Sequence, residues 1–451
     1  MTGGRAPVWP PFVWASLGLA ITAGFGLGAA LFAAQALQAP IGLWWPAAAQ
    51  AHGHTQLFGW IGLMVLGVGF HVLPRLRGAP LAHRDGARAV LVLLVAGLVL
   101  RALVQPLLAV VLPAAPRTAL RVGLVCSGVL EVAGVSLALW LLARTLRHGP
   151  SLRTRAGLWP VLPFFVTAFA GFWLALGVNL VGLISAAMAG SALVPAWADG
   201  LTTQLAFYVV LVPVSMAMSE RTFPLFYRTP LPKRRALRVG LVVLLTGLAL
   251  RVYGELGAVS LAIGLGCLAM AVALSTFILA LGVFAPRRPR PRGRVRPLSD
   301  PLQAHVLAAY LWLMVATVLL VAMGLAAWGI TVLPVGHDAE RHALGSGFGT
   351  LLILGVGAHL LPGFANRPLR SRALAWATLV LGNAAALLRV GPLFLPSVAP
   401  PALTSTLLSL AGVAGLAALV TFGLNVSGPR RPGGRADVQH AGADGRASGC
   451  P

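Results

Sequence analysis

The sequence predicts an all-α integral membrane protein of about twelve transmembrane helices, arranged as three pseudo-repeated four-helix units. Three observations carry this reading. Apolar residues make up 58% of the 451 and charged residues only 10%, against about 25% charged in a soluble domain. Apolar segments of roughly 20 residues, the length that crosses a bilayer, recur from end to end. A pattern of His, Pro and Arg returns at constant offsets, which is the mark of internal repetition.

Spans are expected near 12–37, 52–74, 87–112, 118–144, 158–187, 200–223, 237–255, 257–285, 303–333, 342–364, 372–391 and 401–426. Arg-rich connections follow the even-numbered spans, as with Arg75, Arg77, Arg84 and Arg88 after the second. The connections between, such as 38–50 and 392–400, hold almost none. By the positive-inside rule this places both termini in the cytoplasm of a bacterium, in a multi-pass inner-membrane protein. Trp44 and Trp45 suit the outer aromatic belt. The first apolar stretch is long enough to stay as a span rather than be cleaved. The net charge of +24 comes from Arg in short loops, so the expected partner is the lipid bilayer and not nucleic acid. Cys126, Cys267 and Cys450 are too scattered for a disulfide framework or a Cys-x-x-Cys site.

The repeat is threefold. Span 2 ends His71-Val-Leu-Pro74, span 6 ends Arg221-Thr-Phe-Pro224 and span 10 ends His359-Leu-Leu-Pro362. The helix after each carries an arginine, at Arg101, Arg251 and Arg389. An offset of 150 residues relates 71 to 221 and 101 to 251. One of 288 relates 71 to 359, 101 to 389 and His54 to His342. The units are 1–150, 151–297 with an Arg/Pro linker near 285–296, and 298–426, followed by a disordered cytoplasmic tail at 427–451.

Histidines mark the site. His54 and His71 are 17 residues apart, roughly 25 Å along a helix, so they belong to different levels. The expected outer pair is His54 with His342, and the expected inner pair is His71 with His359, with His305 as a possible third inner group. Two neutral imidazoles from facing helices are the usual axial ligands of a low-spin haem, here of the b type, held between spans 2 and 10. His52 lies about 200° from His54 around the helix, so it faces elsewhere, as a copper ligand, a supporting group or an interfacial residue. In span 6 Gln204 and Arg221 replace the histidines. Buried arginines need partners. Haem propionates would serve for Arg101 and Arg389, and Glu131 and Glu255 are the protein's own candidates. The glycines of spans 2 and 10, such as Gly59, Gly62, Gly347 and Gly349, either allow close helix packing or make room for a flat macrocycle.

These residues resemble the NnrS family, related in architecture to the catalytic subunit I of haem–copper oxidases. The resemblance rests on His52-x-His54 followed by Phe58-Gly59, on Arg341-His342-Ala-Leu-Gly-Ser-Gly347-Phe-Gly349, and on Arg221-Thr-Phe-Pro224-Leu-Phe226. Thr55 stands where the family has Glu, and Gly363-Phe364-Ala-Asn stands where it has a Gly-His-Thr-Gly turn. The resemblance implies a haem- and copper-containing membrane protein with a redox or nitric-oxide-response role, acting with a redox partner or on nitric oxide. Spans 6 and 7, which hold copper ligands in the oxidases, contain no histidine. An oxygen-reducing binuclear centre is therefore not expected. Two rivals stay open: a transmembrane electron carrier with two haems, and a cofactor-free transporter.

Overall fold

The computed structural model describes residues 6–110, 113–149, 151–154, 157–288, 300–331, 333, 336–394 and 400–429. The described residues are helical and contain no strand. Twelve helices are long and apolar enough to cross a membrane. They are α1 (Trp9–Ala36), α2 (Trp44–Arg77), α3 (Gly86–Leu108), α4 (Ala114–Arg147), α5 (Leu162–Met188), α6 (Ala196–Phe226), α7 (Arg234–Gly257), α8 (Ser260–Leu281), α9 (Pro301–Ala327), α10 (His337–Ala365), α11 (Arg372–Phe394) and α12 (Pro401–Val426). The chain is thus a multi-pass membrane protein. Helices are required there because the bilayer offers no partner to a bare peptide group.

Local chemistry sets many of the ends. Proline opens α1, α5, α9 and α12, where its missing N–H costs nothing. The Asp300 side chain caps α9 through the Leu302 amide at 3.1 Å. Gly78 (φ 71°) and Asn366 (φ 50°) end α2 and α10 in the left-handed conformation. Pro74, Pro224 and Pro362 lie inside the last turns of their helices rather than beyond them.

Three boundaries that bear on the site differ from expectation. α2 begins at Trp44 and α10 at His337, so His52, His54 and His342 stand within helix rather than at its start. Glu255 lies inside α7, not after it. The expected Arg/Pro linker falls largely, and the tail at 427–451 almost wholly, outside the described residues, as do His440 and Cys450.

The helices pack in sequence order, α3 on α4, α7 on α8 and α11 on α12, and α12 packs back on α1 to close the ring. α2, α6 and α10 form the centre. Each contains a wide π-helical stretch, at Thr55–Gly62, Leu205–Leu211 and Ala343–Thr350, and the three stretches touch one another pairwise. Such stretches recur at functional sites. They also turn less per residue than an α-helix, so the angular phase expected between His54 and His71 does not carry across. Valines and leucines such as Val92, Leu103 and Leu279 stay exposed on the outer helices, as a lipid-facing surface requires.

Candidate functional site

Arginine near the middle of a span costs about 3 kcal/mol on an insertion scale, so each of the three arginines should be found with partners. Arg101 is 2% exposed. Its Nε donates to Gln105 Oε1 at 3.0 Å, and one Nη1 contacts both His54 Nδ1, at 3.0 Å, and Asn179 Oδ1. Gln105 continues to Gln50 Oε1 at 2.8 Å. Arg251, 1% exposed, donates to Glu255 at 2.9 Å and grips both oxygens of Glu340, at 2.6 and 2.9 Å. Tyr208 also donates to Glu340, Gln204 donates to Glu255, and His337 joins Arg251 at 2.9 Å. Arg389 holds the Asp338 carboxylate, Nη2 lying 2.9 and 2.7 Å from its two oxygens. Of the two expected glutamates, Glu255 does pair with its arginine. Glu131 binds His54 instead, at 2.6 Å.

This changes the reading of His54. A guanidinium only donates, so His54 Nδ1 accepts from Arg101. The ring proton then sits on Nε2 and is donated to Glu131. Both nitrogens of this buried imidazole are engaged by side chains. Arg101, expected to meet a propionate, is likewise occupied within the protein.

A cavity of about 480 Å³ lies between α1, α2, α10, α11 and α12 and reaches α5 and α6. Its wall carries His52, His54, His342, Asp338 and Arg389. His52 and His342 stand on this wall together with Asp338 and Arg389. The charged neighbours of His54 are Arg101, Glu131 and Asp199.

The two cavity imidazoles are prepared alike. His52 Nδ1 donates to the Gly24 carbonyl at 2.8 Å, and His342 Nδ1 donates to the Asp338 carbonyl at 2.8 Å. Each ring therefore keeps its lone pair on Nε2, and among the described residues nothing partners either Nε2. The Gly24 carbonyl accepts from the Leu27 amide as well, and α1 kinks there, at φ −86° and ψ −112°, within its own π-helical stretch. One turn on, a Cβ at Gly28 would stand 2.8 Å from His52 Cε1, so only glycine lets the ring lie against α1.

Four buried side-chain atoms without a hydrogen-bond partner belong to residues of this wall: Gln56 Oε1, Asn179 Nδ2, Thr202 Oγ1 and Arg389 Nη1. Buried polar atoms are rarely left so unless something else meets them. Arg389 also lies over the Phe32 ring, 5.1 Å from its centroid. A second, mostly apolar cavity of about 100 Å³ lies farther along α2, α6 and α10, walled by Val68, Leu211, Val214, Leu352 and Val356 among others.

The expected inner pair is differently placed. His71 packs on Phe364 of α10 and His359 on Phe226 of α6, each with ring centroids 3.9 Å apart. His305 is buried in α9 with Nδ1 donating to Pro301 O at 2.7 Å. Just beyond α6, burial, and then the Asp300 carboxylate, push the Tyr227 phenol above its ordinary range. His83 stacks on Trp140 and His148 is exposed.

Most glycines of α2 and α10 serve packing. A Cβ at Gly62 would meet Phe172, and one at Gly347 would meet Trp312. The residues that shape the cavity and escaped the sequence reading are Gly24, Gly28, Gln56, Asn179 and Asp338. Only Asp338, an acidic residue four before a histidine, left a visible trace. No family model and no curated protein matches the chain.

Proposed function

We propose that this membrane protein binds haem, of the b type, between His52 and His342, and serves in one-electron redox chemistry. The observation that carries the reading is the pair of imidazoles on one cavity wall, each with Nδ1 donated to a carbonyl and Nε2 without a partner. A metal-binding histidine typically donates its other ring N–H to an oxygen in this way, which sets both tautomer and ring plane. The residues present fit the group in one further respect. The unpartnered Nη1 of Arg389 suits a carboxylate, by a charge-assisted bond.

In this reading Gly24 and Asp338 orient the two rings, Arg389 holds a propionate, and Phe25, Phe32 and Leu408 keep water away. His52 and His342 would hold the group, which would supply one-electron transfer there. The proposed organisation is three four-helix units set cyclically, similar to the catalytic subunit of haem–copper oxidases. The proposed location is the bacterial inner membrane, with both termini cytoplasmic and the cavity toward the outer face. The resemblance to the NnrS family makes nitric oxide response the context to examine first.

The test is the pyridine haemochrome spectrum and metal content of the purified protein, which also separates iron from copper. A Soret band is expected in the wild type and should be lost in His52→Ala and in His342→Ala but retained in His54→Ala. A wild type without haem, or retention in His52→Ala with loss in His54→Ala, would overturn the assignment.

A further inference from the structure

The two cavity imidazoles differ in one respect. His52 Nδ1 meets a single oxygen, the Gly24 carbonyl. His342 Nδ1 meets two, the Asp338 carbonyl at 2.8 Å and the Asp338 carboxylate Oδ1 at 3.1 Å. The same carboxylate is gripped by Arg389 through both oxygens. Asp338 stands in the first turn of α10, where the helix dipole favours a negative group. Its side chain is half exposed at the cavity mouth, whereas that of Arg389 is 12% exposed. Sharing the N–H with an anion makes an imidazole a stronger donor than sharing it with a carbonyl alone.

We infer that Asp338 is a positioning residue that makes the two imidazoles unequal, with His342 the stronger donor, and that steadies Arg389 beside them. The redox consequence rests on the haem reading; the hold on the His342 ring does not. A carboxylate behind one ligand favours the oxidised form of a bound metal, so removing its charge should favour the reduced form.

The experiment compares wild type, Asp338→Asn and Arg389→Gln by two measurements. One is the ¹⁵N signal of His342 Nδ1, read in the reduced, diamagnetic form or in protein without cofactor. The other is the midpoint potential. Asp338→Asn keeps the backbone carbonyl and should keep the tautomer, while moving the Nδ1 signal and weakening the preference for the oxidised form about tenfold, about 59 mV upward for one electron. Arg389→Gln removes a positive charge and should move the potential the other way, leaving the Nδ1 signal in place. An unmoved His342 signal in Asp338→Asn overturns the inference, whether or not the potential shifts, since a shift alone would be a bare charge effect. A wild type without a Soret band defeats the haem reading instead, and the Nδ1 signal of the two proteins still decides the role of Asp338.

Discussion

His52 and His54 are two residues apart on one helix and do opposite things. His54 is locked into a polar cluster, its nitrogens taken by Arg101 and Glu131. His52 keeps a free Nε2. Both line the same cavity, although their spacing places them on different faces, and their different bonding could not be read from that spacing. The locked role carries its own consequence. Removing His54 leaves a buried carboxylate and a buried guanidinium without their shared partner, and breaking such a site costs about 3–5 kcal/mol. His54→Ala should therefore lower the apparent unfolding temperature in detergent while sparing any haem. His54→Gln should be milder, because Gln204 already serves beside Glu255 in α6. Equal loss in the two variants would argue against the hydrogen-bonding role.

At the scale of elements, the kink in α1 matters as much as the histidines. Gly24 offers a carbonyl and Gly28 clears a face, and both lie in a helix that contributes no ionisable ligand. Gly28→Val should press a side chain into the His52 ring and abolish cofactor binding with little change in expression or fold. Overpacking of this kind costs about 1–3 kcal/mol. Undiminished haem content in that variant would show that the ring does not lie against α1 in the loaded protein. The signal missed in the sequence was a pair of glycines four apart in an unremarkable apolar stretch. Such a pair is usually packing, and the surrounding residues hold no polar partner to suggest otherwise.

For the whole molecule, the arrangement of α2, α6 and α10 explains why equal positions did not pair. When similar helices surround one axis, each presents one face to the helix before it and another to the helix after, a heterologous contact rather than a self-matching one. His52 of α2 shares its cavity with His342 of α10, two positions out of register with its own repeat partner Glu340. Glu340 in turn meets Arg251 and Tyr208, and His71 and His359 each pack on the neighbouring helix. The Arg251–Glu340 pair joins α7 to α10 in the interior. Arg251→Leu alone leaves the buried Glu340 carboxylate without its guanidinium and should destabilise by about 3–5 kcal/mol. The double variant Arg251→Leu with Glu340→Leu should recover most of that loss, as measured by unfolding in detergent. Failure of the second change to rescue would mean that the pair supplies more than charge balance.

The sequence by itself determined the helical class, the twelve spans and the short set of residues that carry charge or imidazole into the membrane. It could do so because hydrophobic length and the cost of buried charge are local properties, legible in any window of about 20 residues. Tertiary structure alone decided which histidines share a cavity, that Glu131 serves His54, that α1 bends beside His52, and that Asp338 stands behind His342. Those facts depend on the kink of α1 at Gly24 and on how neighbouring helices meet. Neither leaves a periodic trace in the chain.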